Sequence, residues 1–352
     1  RRDIGYAGLK DARAVTRQWM SIEHADPKLI QDLKIARINI ISVDKHRNKL
    51  RLGHLVGNRF RIRVRETHPE RLAELQDALR DLTTRGVPNY FGRQRFGGRG
   101  DAWKIGRAIV RNDLDEALDF VLGRPTPRDT GNIRKARELY ENKQYTEASR
   151  AWPGMFRDER RALKTLIKNN GKKSRAFRSI DRSLRNFYVS AYQSYMFNLV
   201  TAERLQTGLQ RLQPGDLAWL HANGAVFEVK DLEIEQARAN SFEISSTGPL
   251  FGYRMTQPAG AAGELESAVL SREGLSPDSF RSEKLRVKGA RRPLRFQPAE
   301  CGLALGADDR GAYLELRFAL PRGCYATSLL RELFADAEEA DNASYETTDI
   351  VE

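Results

Sequence analysis

Gly5-Tyr6-Ala7-Gly8-Leu9-Lys10-Asp11-Ala12-Arg13-Ala14-Val15-Thr16-Arg17-Gln18-Trp19 is the stretch on which the reading of this chain turns. Glycines flank a turn that presents a carboxylate beside a lysine at low steric cost, and the cation favours the ionised form that a nucleophile or base requires. Around it, residues 3–66 read as strands and tight turns. Ile35 to Val43 is apolar and β-branched, while Leu50 to Leu55 and Phe60 to Val64 alternate apolar with polar. In Phe60-Arg61-Ile62-Arg63-Val64-Arg65 the apolar side chains share one face, for a core, and three arginines share the other, for water or phosphate. A helix follows: Pro69 suits its first turn, Leu72, Leu75, Leu79 and Leu82 form a stripe, and Gly86 and Pro88 stop it.

The character changes at Asn89. Residues 89–100 mix aromatic, glycine and arginine residues and read as a loop. Helices are expected over Asn132 to Ala151, Asp158 to Asn169 and Ile180 to Leu205, the last apolar around much of its circumference and so central to its own domain. Ala218 to Val229 is strand-like, and Gly260 to Leu275 is rich in Gly, Ala and Ser and reads as surface loop and turn. Leu285 to Phe296 and Ala312 to Leu320 are strand candidates that could rejoin the first sheet.

Composition narrows the function. The 352 residues suffice for two domains, and no apolar run approaches the roughly 18 residues of a bilayer span, so the chain reads as soluble. A start at Arg1, with no signal-peptide series, reads as the edge of a longer chain. All 60 lysines and arginines lie within residues 1–331, whereas eight of the 47 acids follow them, so a net charge of +13 conceals a body at +21 and an acidic tail. Such a body implies a polyanionic partner. Two cysteines, Cys301 and Cys324, read as small buried hydrophobes in a reduced cytosolic setting. The five histidines form no HxxxH pair and there is no CxxC, so no metal is expected. Gly171-Lys172-Lys173-Ser174 resembles the end of a phosphate-binding loop, but Leu166 stands where its first glycine belongs, and the segment reads as a helix stop and a basic loop.

Read whole, the opening stretch resembles the first motif of the TruD family of pseudouridine synthases, A-G-x-K-D-x-x-A-x-T-x-Q-W, with Ala7, Gly8, Lys10, Asp11, Ala14, Thr16, Gln18 and Trp19 in register. The signature K-L-R-L-G-x-L-x-G-N-x-F stands at Lys49 to Phe60, and G-V-P-N-Y-F-G-x-Q-R-F-G at Gly86 to Gly97. Ala191 to Asn198 and Leu320 to Leu333 are similar to the family's central helix and closing segment. The resemblance implies an α+β protein: a pseudouridine synthase catalytic domain with a mixed, mostly antiparallel sheet, interrupted by a family-specific α+β insertion. The catalytic parts would be 1–88 and 290–335, the insertion 89–289, and 336–352 an acidic, flexible tail. It further implies isomerisation of uridine to pseudouridine in tRNA, at position 13, in the cytoplasm, with no cofactor, DNA, membrane or obligate protein partner.

By the same resemblance Asp11 is the catalytic residue, and Lys10, Asn58 and Phe60 bind substrate. Asn58 would bond a base edge or orient Asp11, and Phe60 would stack on the flipped base. Tyr90, Phe91, Arg93, Arg95, Lys172, Lys173, Arg291 and Arg292 are candidate RNA contacts, with Arg99, Arg175 and Arg178 beside them. The family's opening motif, K-x-x-P-E-D-F-x-V-x-E, is not matched, which leaves one active-site cation and one sheet edge open, and residues 124–173 are longer than in compact members. Two other readings share the basic composition: a synthase acting on another structured RNA, and an RNA-binding or RNA-folding protein without turnover. The intact Lys10, Asp11, Asn58 and Phe60 set argues against the last.

Overall fold

The alternation from Phe60 to Val64 becomes one strand, Gly57–Val64, paired antiparallel along its length with Gly311–Pro321. Its register sets Val64 opposite Leu314, Ile62 opposite Leu316, Phe60 opposite Phe318 and Asn58 opposite Leu320. Because strand side chains alternate, these eight residues form one continuous face. Ala299–Asp308 pairs antiparallel on the far side of Gly311–Pro321, with a register shift between Ala299 and Gly302. The helix Leu72–Arg85 buries Leu75, Leu79 and Leu82 in the same core as Ile62, Leu314, Leu316 and Phe318, and the helix Ala326–Leu333 adds Leu329, Leu330 and Leu333. Each fully buried leucine or phenylalanine contributes about 1.5–3 kcal/mol, so this layer fixes the strand Gly57–Val64 in place.

A computed structural model describes residues 3–11, 13–66, 68–281, 286–334 and 346–348. The chain divides into two compact units, Arg1–Val87 with Phe296–Glu352, and Pro88–Arg295. In the first, Ile4–Tyr6 and Met20–Ile22 form a separate antiparallel pair. The expected acidic tail lies outside the described residues except at Glu346–Thr348, whose backbone pairs with Gly57–Val64 and with Ala14–Val15.

Two strand expectations fail here. Among the described residues Ile35 to Val43 forms only an isolated bridge, Ile35 to Ile38, and Leu50 to Leu55 forms no strand. Ile38 and Ile41 are 55% and 66% exposed, so β-branched composition was not matched by a pairing edge or a covering layer.

The second unit is built around the 24-residue helix Arg182–Leu205. Ala102–Val110 crosses it at Gly106, where a side-chain carbon would lie 2.0 Å from the Tyr188 carbonyl oxygen, so only glycine permits the approach. Leu114–Leu122, Gly131–Glu141, Tyr145–Ala151, Arg157–Lys168 and Lys173–Arg178 complete a helical core around Leu118, Leu122, Trp152, Leu163 and Phe177. A four-stranded antiparallel sheet follows the order Val226–Glu228, Leu217–Leu220, Ile244–Leu250, Ala290–Pro293. Ala290–Pro293 therefore belongs to this sheet and not to the first one, which moves the return to the first unit to Phe296. Gly260–Arg272 is a helix rather than loop and turn; its Ala262, Val269 and Leu270 are buried, and its alanines outweigh its glycines.

Candidate active site

Asp11 stands on an irregular turn between the strands Ile4–Tyr6 and Ala14–Val15. Among the described residues two hydrogen bonds hold this turn. The Ala7 carbonyl accepts a 3.0 Å hydrogen bond from the Gly53 N–H, and Lys10 Nζ donates to Asn58 Oδ1. Gly53 adopts φ +93°, a left-handed conformation that a side chain would strain. Upstream, Gly5 is buried against the Leu50 carbonyl, and the Leu50 N–H donates to Ser21 Oγ at 2.9 Å. The first two sequence motifs are thus one local structure.

Asn58 and Phe60 share the inward face of Gly57–Val64, one pleat apart. Gly57 lets that strand end close to its neighbour: a side-chain carbon there would lie 2.4 Å from the Leu320 carbonyl oxygen. The half-buried Phe60 ring stacks on Phe318, centroids 5.1 Å apart and planes 22° apart, and packs against the core. Phe60 is therefore both a core residue and the end of the apolar face, next to Asn58. Asn58 Oδ1 accepts from Lys10 and so orients it. Asp11 itself is exposed. Of the site residues named from sequence, Lys10 meets Asn58, Phe60 lies one pleat from Asn58 on the same face, and Asp11 follows Lys10 in the turn. The chemistry an exposed carboxylate on such a turn allows is attack or proton removal.

The opposite face of the same strand differs from expectation. Arg59 forms a bidentate pair with Glu300, Arg61 and Arg63 lie 3.7 Å from Glu315, and Arg63 and Arg65 both bond Asp308. Arg63 and Arg65 also lie over the Tyr313 ring at 4.6 and 5.5 Å. The Arg65 guanidinium holds the Asp308 carboxyl down at about 2. The arginine row is neutralised by the neighbouring strands and is not an open phosphate face.

The candidate RNA contacts all fall in the second unit. Arg291, expected to contact RNA, is instead buried, bidentate to Glu266 at 2.6 and 2.8 Å, and also donates to the Thr247 hydroxyl and carbonyl. Phe91 is half-buried, edge-on to Phe197, under the Arg292 guanidinium at 4.2 Å, and both its backbone groups are satisfied by the Asn198 side chain. Arg292 also donates to Asn89, and Arg95 to Ser194 Oγ at 3.1 Å. These three are occupied in packing the motif against the long helix. Lys173 pairs with Asp119 at 2.6 Å, and Arg99 with Asp101 at 2.9 Å. Tyr90 is half-buried, and Arg93, Lys172, Arg175 and Arg178 are exposed. Arg178 and Ser174 line a shallow surface cavity with Arg111, Asp113 and Asp115, so this part of the cluster faces mixed charge.

Sequence reasoning missed Phe318, Asp308 and Tyr313. Phe318 could have been paired with Phe60 from the alternation of both strands; the others depend on register. Among the described residues no three His, Cys, Asp or Glu side chains converge as a metal would require, and no helix is long and apolar enough to cross a membrane.

The family model described as tRNA pseudouridine synthase D (TruD) matches residues 1–333. The tRNA pseudouridine synthase D of Geobacter metallireducens is 45% identical over 333 residues, covering 94% of this chain and 81% of the relative. That of Geobacter sulfurreducens is also 45% identical, over 94% and 80%. A crystal structure from Methanosarcina mazei assigned to tRNA pseudouridine synthase D superposes with a TM-score of 0.83 at 30% identity, over 95% of this chain and 81% of the other.

Proposed function

This chain belongs to the TruD family of tRNA pseudouridine synthases, and from that membership we propose that its isomerisation of uridine to pseudouridine in tRNA runs at Asp11, on the uridine at position 13. The observation that carries the site assignment is the Lys10 to Asn58 hydrogen bond, which joins the motif of Asp11 to the strand of Phe60. The reaction breaks the C1′–N1 bond and forms C1′–C5; the proton leaving C5 is balanced by one gained at N1, so no oxidant, reductant or added group is needed.

In this reading the target uridine leaves the RNA stack, and the Phe60 ring holds the detached base flat while it turns. The Asp11 carboxylate acts at the ribose, attacking C1′, stabilising its positive charge or removing a ribose proton. Lys10, fixed by Asn58, places a cation on the turn that presents the carboxylate. The exposed cations Arg93, Lys172, Arg175 and Arg178 supply phosphate contacts of low sequence content. The enzyme works in the cytoplasm and needs no protein partner for the chemical step. The test is turnover on a tRNA transcript, with pseudouridine mapped by position: product at position 13 and none in Asp11→Asn is expected. Product elsewhere, with position 13 unmodified, would overturn the assignment of target.

A further inference from the structure

We propose that Arg322 is a positioning residue for the reaction: from the loop after the strand Gly311–Pro321 it fixes the Gly53 turn, and through it the turn that presents Asp11. Arg322 Nη1 donates to the Gly53 carbonyl at 3.2 Å, and the Arg322 backbone N–H donates to the Val56 carbonyl at 3.1 Å. Gly53 is bonded through both its backbone groups, because its N–H donates to the Ala7 carbonyl at 3.0 Å. Leu55 lies beside Gly8 on the same turn. The catalytic turn thus hangs from a segment whose other attachment is the closing motif of the chain.

That attachment matters because little else holds the segment. Residues 51–56 belong to no helix or strand, Leu52 is 68% and Val56 91% exposed, and, its chain neighbours aside, no atom of the described residues lies within 4 Å of where a Gly53 side chain would begin. With few buried contacts, such a segment opens at low cost unless it is tied, and an error of about an ångström in a reacting group can cost roughly a hundredfold in rate. Lys10 and Asn58 tie the turn at its far end, so Arg322 supplies the opposite point of suspension. Its side chain is exposed and meets a carbonyl, not a carboxylate, which suits a geometric role.

The inference rests on Asp11 being the catalytic carboxylate, so Asp11→Asn is assayed in parallel. Single-turnover and steady-state kinetics on a tRNA transcript, RNA affinity at several salt concentrations and melting temperature are measured for wild type, Arg322→Ala and Arg322→Lys. Arg322→Ala is expected to lower kcat about 10- to 100-fold, with RNA affinity, its salt slope and the melting temperature near wild type. Arg322→Lys restores most of the rate, since an ammonium can reach the same carbonyl. Three results overturn the proposal: wild-type kcat in Arg322→Ala; a raised KM with a flatter salt slope at unchanged kcat, which would make Arg322 a phosphate contact; or a rate loss that lysine does not restore or that only follows lost stability. Turnover in Asp11→Asn would sink the catalytic reading of Asp11 instead, whatever Arg322 does.

Discussion

Replacing Phe60 by leucine separates the two roles the structure gives this ring. Phe60 stacks on Phe318 and packs on the core that includes Ile62 and Leu316, but it is only half-buried and ends the apolar face next to Asn58. Alanine would mix the effects: truncating a buried phenylalanine costs about 3–5 kcal/mol, and roughly half of that is expected at a half-exposed site. Leucine keeps most of the apolar volume, and such swaps cost under about 1.5 kcal/mol, a few degrees in melting temperature. What leucine lacks is a flat face. Base stacking on an aromatic side chain is worth about 1–3 kcal/mol, which is about 5- to 150-fold in rate if the detached uracil rests there in the transition state. Single-turnover pseudouridine formation with enzyme in excess over a tRNA transcript reads that step, and thermal unfolding of the same preparations reads the packing. A Phe60→Leu enzyme with a wild-type single-turnover rate would refute the stacking role and leave Phe60 as a strand residue that packs on Phe318. Phe60→Tyr, which keeps the face, should retain most of the rate.

Asp11→Asn should abolish turnover while leaving RNA affinity close to wild type, because the amide is nearly isosteric but can neither attack nor take a proton; gel-shift and product assays on one preparation check both. Arg291→Ala leaves Glu266 buried without its partner and should cost about 3–5 kcal/mol of stability by denaturant unfolding; unchanged stability with weaker RNA binding would restore the phosphate reading. Replacing Lys172, Arg175 and Arg178 together by alanine should weaken cognate and non-cognate RNA alike and reduce the salt slope by about 2, at unchanged saturating rate; an unaltered slope would make this a solvated face. Asp308 has its pKa lowered in the folded protein by Arg65, so its contribution is present above the unfolded value near 4 and is lost as pH falls through about 2. The melting-temperature gap between wild type and Asp308→Asn should therefore be full at pH 6 and close near pH 2.

What could be read ahead of the structure follows from periodicity and close approach. The stripe from Leu72 to Leu82 and the alternation from Phe60 to Val64 each specify which side chains enter the core, and both elements form as read. The motifs around Asp11 and Asn58 likewise point to one site, because a lysine next to the carboxylate and an asparagine at a strand end are joined by a hydrogen bond. Ile35 to Val43 shows the limit of the same reasoning: a β-branched run states a preference, but a strand needs a partner edge, and pairing is a property of distant sequence.

Charge was the least legible property, for a physical reason. A chain with +21 over its first 331 residues invites each arginine to be read as a phosphate contact. Yet an arginine is neutralised wherever topology brings a carboxylate within about 4 Å, and topology is not visible in its immediate neighbours. Arg291 and Arg292 are adjacent, and Gly289-Ala290-Arg291-Arg292-Pro293 reads as one basic patch. Strand pleating sends Arg291 inward to Glu266, more than twenty residues away, and Arg292 to the other face over Phe91. On Gly57–Val64, likewise, Glu300, Asp308 and Glu315 come from strands more than two hundred residues later and occupy the row of arginines. The positive field is therefore left to cations such as exposed Lys172 and Arg175, which pair with no carboxylate among the described residues, rather than to the more conspicuous arginine pair.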